Sequence, residues 1–124
     1  MIDRIRLTAA AKIQLSTLKR KTGIEHYNSI CRHALCLSLA NPSVPPEEDF
    51  NFNGGLEIDW RTITGGYEDL FLNMLLLRIQ HDKGCSSLEN VKIACASHLH
   101  RGLSYLAGRS DDYLLQVSGS FKPQ

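Results

Sequence analysis

Between Leu70 and Ile79 the chain carries Leu70, Phe71, Leu72, Met74, Leu75, Leu76, Leu77 and Ile79, so eight of ten consecutive residues are apolar. A surface helix keeps its apolar residues on one stripe, whereas a helix that is apolar all round belongs inside. The pattern therefore predicts a helix over 67–83 at the centre of the core. It is too short, and too charged at its ends, to cross a bilayer. A second helix, over 25–40, carries Tyr27, Ile30, Cys31, Ala34, Leu35, Leu37 and Leu39. That is too much for one buried face, so burial on more than one side is expected, another subunit being one way to provide it.

The rest of the chain is punctuated around these two segments. Ile5-Arg6-Leu7-Thr8 alternates and reads as a short strand with Arg4 and Arg6 on its outer side. Thr8 is placed to cap a helix over 9–22, whose stripe is Ala11, Leu15 and Leu18 and whose stop is Gly23. Ile13 lies off that stripe and marks a second contact surface. Asn41-Pro42 ends the second helix, because a residue before proline avoids the α region. Pro45 to Asp49 is loop, tacked down by Phe50 and Phe52. Leu56 to Trp60 alternates like an edge strand. Ser86, three residues before Glu89, forms a capping box for a last long helix over 87–107, with Gly108 as its stop. The tail from Asp111 to Val117 is expected to add one short element, with 118–124 frayed. The fold class is thus mainly α, with four principal helices and at most short strands, in one domain spanning 1–124. Its N-terminal strand, helix, helix order resembles a ribbon-helix-helix unit.

Length and composition agree with one ordinary domain: 124 residues, 43% apolar and 22% charged. The N-terminus, Met1 to Arg6, is charged where a secretion signal needs an apolar run, so a cytoplasmic location is expected. Four cysteines in that compartment are expected to stay reduced. The net charge of +1 hides an asymmetry. Residues 1–40 hold seven basic side chains (Arg4, Arg6, Lys12, Lys19, Arg20, Lys21 and Arg32) against two acids. Residues 41–66 hold Arg61 against five acids, Glu47, Glu48, Asp49, Glu57 and Asp59. A basic block beside an acidic one points to a polyanion for the first and to a basic neighbour, or plain solubility, for the second.

Catalytic chemistry finds little purchase. His81, Cys85, Cys95 and His98 are zinc-compatible side chains, but their spacing matches no common finger and no C-x-x-C occurs. Cys95 and His98 sit on or beside an apolar stripe and read as a small hydrophobe and a satisfied core histidine. Every cysteine has apolar neighbours, which makes a thiol inert. No nucleophile elbow, phosphate loop or metalloprotease helix is present. The reading is no enzyme, no metal and no cofactor. A metal- or thiol-dependent enzyme is the outlying alternative.

Nucleic-acid binding is the stronger reading. In a ribbon-helix-helix pair, two chains join their strands and outward residues enter the major groove. Here those would be Arg4 and Arg6, with Lys12, Lys19, Arg20 and Lys21 adding phosphate contacts that salt erodes. The N-terminus of the second helix, at His26, Asn28 and Ser29, would hold a phosphate through its free N–H groups. An equally open arrangement is a helical oligomer with a basic face from Lys12, Lys19 and Lys21.

A set of segments in order gives the chain a wider resemblance. Ile5-Arg6-Leu7-Thr8 is followed by Leu15-x-x-Leu18-Lys19-x-x-Thr22-Gly23-Ile24 and then Asn28-x-x-x-Arg32. Later come Gly65-Gly66-Tyr67-Glu68-Asp69-Leu70-Phe71 and His98-Leu99-His100-Arg101-Gly102-Leu103-x-Tyr105-Leu106. Together, over about residues 2–118, these resemble the DndE family of bacterial DNA sulphur modification. The resemblance implies a system that replaces a non-bridging phosphate oxygen with sulphur. It implies that the sulphur chemistry belongs to partners, including a cysteine desulphurase and an iron–sulphur protein. It further implies a DNA-binding, self-associating accessory subunit, a dimer or tetramer, with double-stranded DNA and the other modification proteins as partners. By the chemistry the resemblance implies, exchange at a phosphodiester would pass through a broken backbone, so duplex at or near a nick is the expected target. A sequence-specific ribbon-helix-helix regulator is the alternative.

Overall fold

A computed structural model describes residues 2–109. The alternation at the N-terminus makes a strand, β1 (Arg4–Leu7), and Thr8 caps α1 (Ala9–Thr22) by accepting the Ala11 N–H at 3.1 Å. Gly23 ends α1 at φ 72°, a left-handed conformation that costs glycine little. The second helix, α2, spans Tyr27–Ala40. A long connection leads to β2 (Leu56–Asp59), a short helix α3 (Trp60–Thr64), α4 (Glu68–His81) and α5 (Leu88–Ala107). Four long helices and short strands match the expected class. The fifth, α3, begins at Trp60, where a strand end was expected.

β1 pairs antiparallel with β2, with Arg4 opposite Asp59, Ile5 opposite Ile58, Arg6 opposite Glu57 and Leu7 opposite Leu56. The period of two puts all four aliphatic residues on one face and all four charges on the other. Thus the N-terminal strand takes a partner from its own chain. Gly55 lets β2 approach: a Cβ there would lie 1.8 Å from the Leu7 carbonyl oxygen.

The core centres on the packing of α2 against α5, the most extensive helix pair among the described residues. The helices approach closely where Gly102 meets Ala34; a Cβ on Gly102 would lie 1.8 Å from the Ala34 carbonyl oxygen. Ile30, Cys31, Ala34 and Leu35 of α2 are buried with Cys95, Leu99, Leu103 and Leu106 of α5. The apolarity of α2 is therefore taken up largely within the chain, by α5, α3 and α1.

The expected central helix, α4, lies instead at the periphery. Only Phe71, Leu75, Arg78 and Ile79 are buried on it, and Leu70 and Leu77 are 56% and 65% exposed. Its inner side rests on α5 and α3, with Phe71 edge-on to Trp60 at 6.4 Å. Ile13, too, is exposed. The cap of α5 is Ser87, which accepts the Asn90 N–H, and not Ser86. Gly108 ends α5 in a right-handed conformation. The proposed tail element at 111–117 and the frayed end lie outside the described residues.

Candidate nucleic-acid interface

The seven basic side chains of the first forty residues fall into three groups. Arg4 and Arg6 lie on the charged face of the sheet, where register sets acids opposite them. Arg4 is 3.5 Å from Asp59 and 3.7 Å from Glu57, and Arg6 is 3.6 Å from Glu57. Arg6 also lies 5.1 Å above the Phe52 ring. The face that a ribbon would turn to a major groove thus carries carboxylates beside its arginines.

Arg32 is used inside the fold. Its Nε donates to the Ile63 carbonyl at 2.8 Å and a terminal nitrogen reaches Thr62, which satisfies the C-terminal end of α3.

The third group is on α1. Lys12, Lys19 and Arg20, with Ser16, recur at i, i+4, i+7 and i+8, which places them along one side of the helix. All are exposed. The helix contains no acid. Lys12, Lys19 and Arg20 make no ion pair with any described residue; Lys19 lies 5.5 Å above the Tyr27 ring. Lys21 is exposed at the same end. A shallow hollow of ≈ 520 Å³ opens there, lined by Ser16, Lys19, Arg20, Gly23, Ile24 and Glu25. Next in the chain, His26 precedes α2 and gives it no side-chain cap, so the first-turn N–H groups of α2 lack a side-chain partner from that position.

Two further cations were not singled out by the sequence reading, and both are structural. Arg78 of α4 is 8% exposed and lies against Asp82, with Nε 3.1 and 3.2 Å from its two oxygens. Its terminal nitrogens donate to the Leu39 and Ser43 carbonyls. Arg101 of α5 donates to the Ser38 and Asn41 carbonyls, to Ser43, and from Nε to Ser38 Oγ at 2.8 Å. Together they satisfy the carbonyl end of α2, which has no basic residue in its own last turn. Burial of Asp82 opposes its ionisation, but hydrogen bonding from His81 and the Arg78 charge outweigh it and hold the carboxyl below its ordinary range.

Ser38 Oγ accepts from Arg101 at 2.8 Å and is hydrogen-bonded to His98 Nδ1 at 2.8 Å. Burial, then the charges of Arg78 and Arg101, push the His98 pKa down to about 4 against the opposing effect of Asp82. His98 is therefore neutral at physiological pH. His100 is fixed as the Nδ1–H tautomer: Nδ1–H donates to the Ala96 carbonyl and Nε2 accepts the Thr8 N–H. Phe50 stacks on it at 4.3 Å, which tacks down the loop as the sequence suggested.

The four zinc-compatible residues do not converge among the described residues. Cys95 is buried beside Cys31, and burial pushes both thiols up to about 12. Cys85 is exposed, and His81 pairs with Asp82.

The profile of the family described as "DNA sulphur modification protein DndE" matches residues 4–112, most of the sequence. The chain belongs to the DndE family. Membership ties it to DNA sulphur modification. No curated protein shows significant similarity to this DndE-family chain. Among the described residues no helix is long and apolar enough to cross a membrane.

Proposed function

We propose that this DndE-family chain is a non-catalytic, cytoplasmic accessory subunit of DNA sulphur modification that holds duplex DNA through its phosphates. The observation that carries the reading is the acid-free outer side of α1, where Lys12, Lys19 and Arg20 are exposed and unpaired with any described acid. Lys21 and the uncapped start of α2 extend the same footprint. Arg4 and Arg6 contribute less, because Glu57 and Asp59 neutralise them. Lysines and arginines spaced along a helix can meet successive phosphates, contacts that position the protein without reading sequence. The reactive-looking side chains of the interior support the non-catalytic part: Ser38, Cys31 and Cys95 are buried. The chemistry of sulphur exchange then falls to partner proteins. Self-association uses the outer side of α4, where Tyr67, Leu70 and Leu77 are exposed.

The test is a titration of the protein into labelled duplexes, intact and nicked, of two unrelated sequences, at two salt concentrations. Binding that is indifferent to sequence, weakens steeply with salt and is tighter on nicked duplex is expected. Discrimination between the sequences by factors of thousands would replace this reading with a regulator. Equal affinity for nicked and intact duplex would remove the nick preference alone.

A further inference from the structure

A groove of ≈ 660 Å³ runs between the 44–49 segment and the ends of α4 and α5. Val44, Pro45 and Pro46 form one wall, and Ile79, Ile93 and Ala94 the other. Two of these side chains are far from buried: Val44 is 65% and Ile93 55% exposed. The rim is Glu47, Glu48 and Asp49, three consecutive exposed acids. None of them forms an ion pair with a described residue. Arg6 and Lys92 line the opposite side of the same loop, yet neither reaches ion-pair distance of these acids. Arg78, at the base, is already matched by Asp82 and two carbonyls. His98, only 2% exposed, forms part of the base, with Nδ1 occupied by Ser38.

We propose that this groove docks a basic segment of a partner protein that inserts aliphatic side chains against Val44 and Ile93. The apolar walls call for an amphipathic segment, a recurring mode of peptide recognition. The unpaired rim selects for lysine and arginine on its polar side and excludes DNA. Within the described residues the comparable basic segment is α1, and a second copy offering its α1 would withdraw that helix from DNA. The occupant is therefore a different protein. The choice of a different protein over a second copy rests on the DNA reading of α1; the groove itself shares no residue with that reading, so a titration without DNA fails or succeeds separately from the duplex titration.

The experiment titrates isotope-labelled full-length protein, without DNA, with a synthetic peptide that places leucines at i, i+3 and i+4 and lysines elsewhere. Two controls replace every lysine by glutamate or every leucine by serine. The expected result is saturable binding of the first peptide alone, with amide shifts concentrated at Val44, Ile93, Ala94 and Ser97. Ile93→Asp, at an exposed site, and the combined variant Glu47→Lys, Glu48→Lys, Asp49→Lys each weaken binding at least tenfold. The proposal is overturned by equal binding of either control peptide, by shifts that map elsewhere, or by no binding at all. It is also overturned if Ile93→Asp changes the protein's size in solution, because the groove would then be filled by a second copy.

Discussion

Arg78 and Arg101 differ from Lys12, Lys19 and Arg20 in everything but the sign of their charge. Arg78 is buried and Arg101 half-buried, and their N–H groups are spent on Asp82, Ser38 and the carbonyls that close α2. The second set stands on a helix with no acid and no ion pair to a described residue. Cations of the first kind build the fold, since an unmatched carbonyl end or carboxylate away from water is costly. Solvated cations of the second kind contribute little to stability and are free to meet a polyanion. Arg4 and Arg6 stand between the two, exposed but matched across the sheet by Glu57 and Asp59. Counting basic residues along the first forty positions merges these classes; only their neighbours separate them.

The largest effect should follow from removing a buried cation. Arg78→Ala leaves Asp82 with only the exposed His81 beside it, removes the Leu39 carbonyl's donor and one of the two donors to the Ser43 carbonyl, and should lower unfolding stability by about 3 kcal/mol. Urea denaturation reads this directly. A loss below ~1 kcal/mol would place Arg78 with the solvated cations and collapse the distinction.

The reverse pattern is expected on α1. Lys12→Glu, Lys19→Glu and Arg20→Glu together should weaken duplex binding by roughly tenfold or more at moderate salt and flatten its salt dependence. The same change should cost only about 1 kcal/mol of stability, through charge at the helix end. Unaltered affinity in a folded triple variant would show that DNA uses another surface.

The last effect is one of pH. His98 is held at about 4, below its ordinary 6.5, in the folded chain. As pH falls the unfolded chain takes up that proton first, so stability declines from about pH 6.5 and levels off near pH 4. Burial lowers His33 and His100 in the same direction, so the His98 share is the difference between the wild type and His98→Gln, measured from urea midpoints across this range. A difference that does not change with pH would mean that His98 stays solvated.

Much of the fold was legible because it rests on local rules. Thr8 and Gly23 bracket α1, Asn41-Pro42 closes α2, and the alternation at Ile5 and Leu7 gives β1. The error at α4 has a physical source. Periodicity reports how apolar a helix is, not whether a neighbour covers it, and Leu70 and Leu77 remain open to solvent. The displaced α5 cap arose because Ser86 and Ser87 are adjacent and equally able to accept an N–H. At the candidate interface, the α1 set was visible from its spacing and from the lack of acids. The neutralised state of Arg4 and Arg6 was not, because it depends on a register linking residues more than fifty positions apart. The arginine clamp was hidden for the same reason: Arg78 and Arg101 close a helix that precedes them by decades of residues.

That dependence has a consequence for how the chain is made. α5 packs on α2, α1, α4 and β1, and it supplies Gly102 for the closest helix approach, Arg101 for the end of α2 and His100 for the start of α1. It is also the last of the described elements to leave the ribosome. Until it emerges, α1 and α2 lack the largest surface against which Leu15, Ile30 and Leu35 are buried, and the end of α2 lacks half its clamp. Helices of fourteen residues are marginal in water without such packing. The nascent chain should therefore stay open through most of translation and close in one late, cooperative step, with its basic α1 exposed before its core exists.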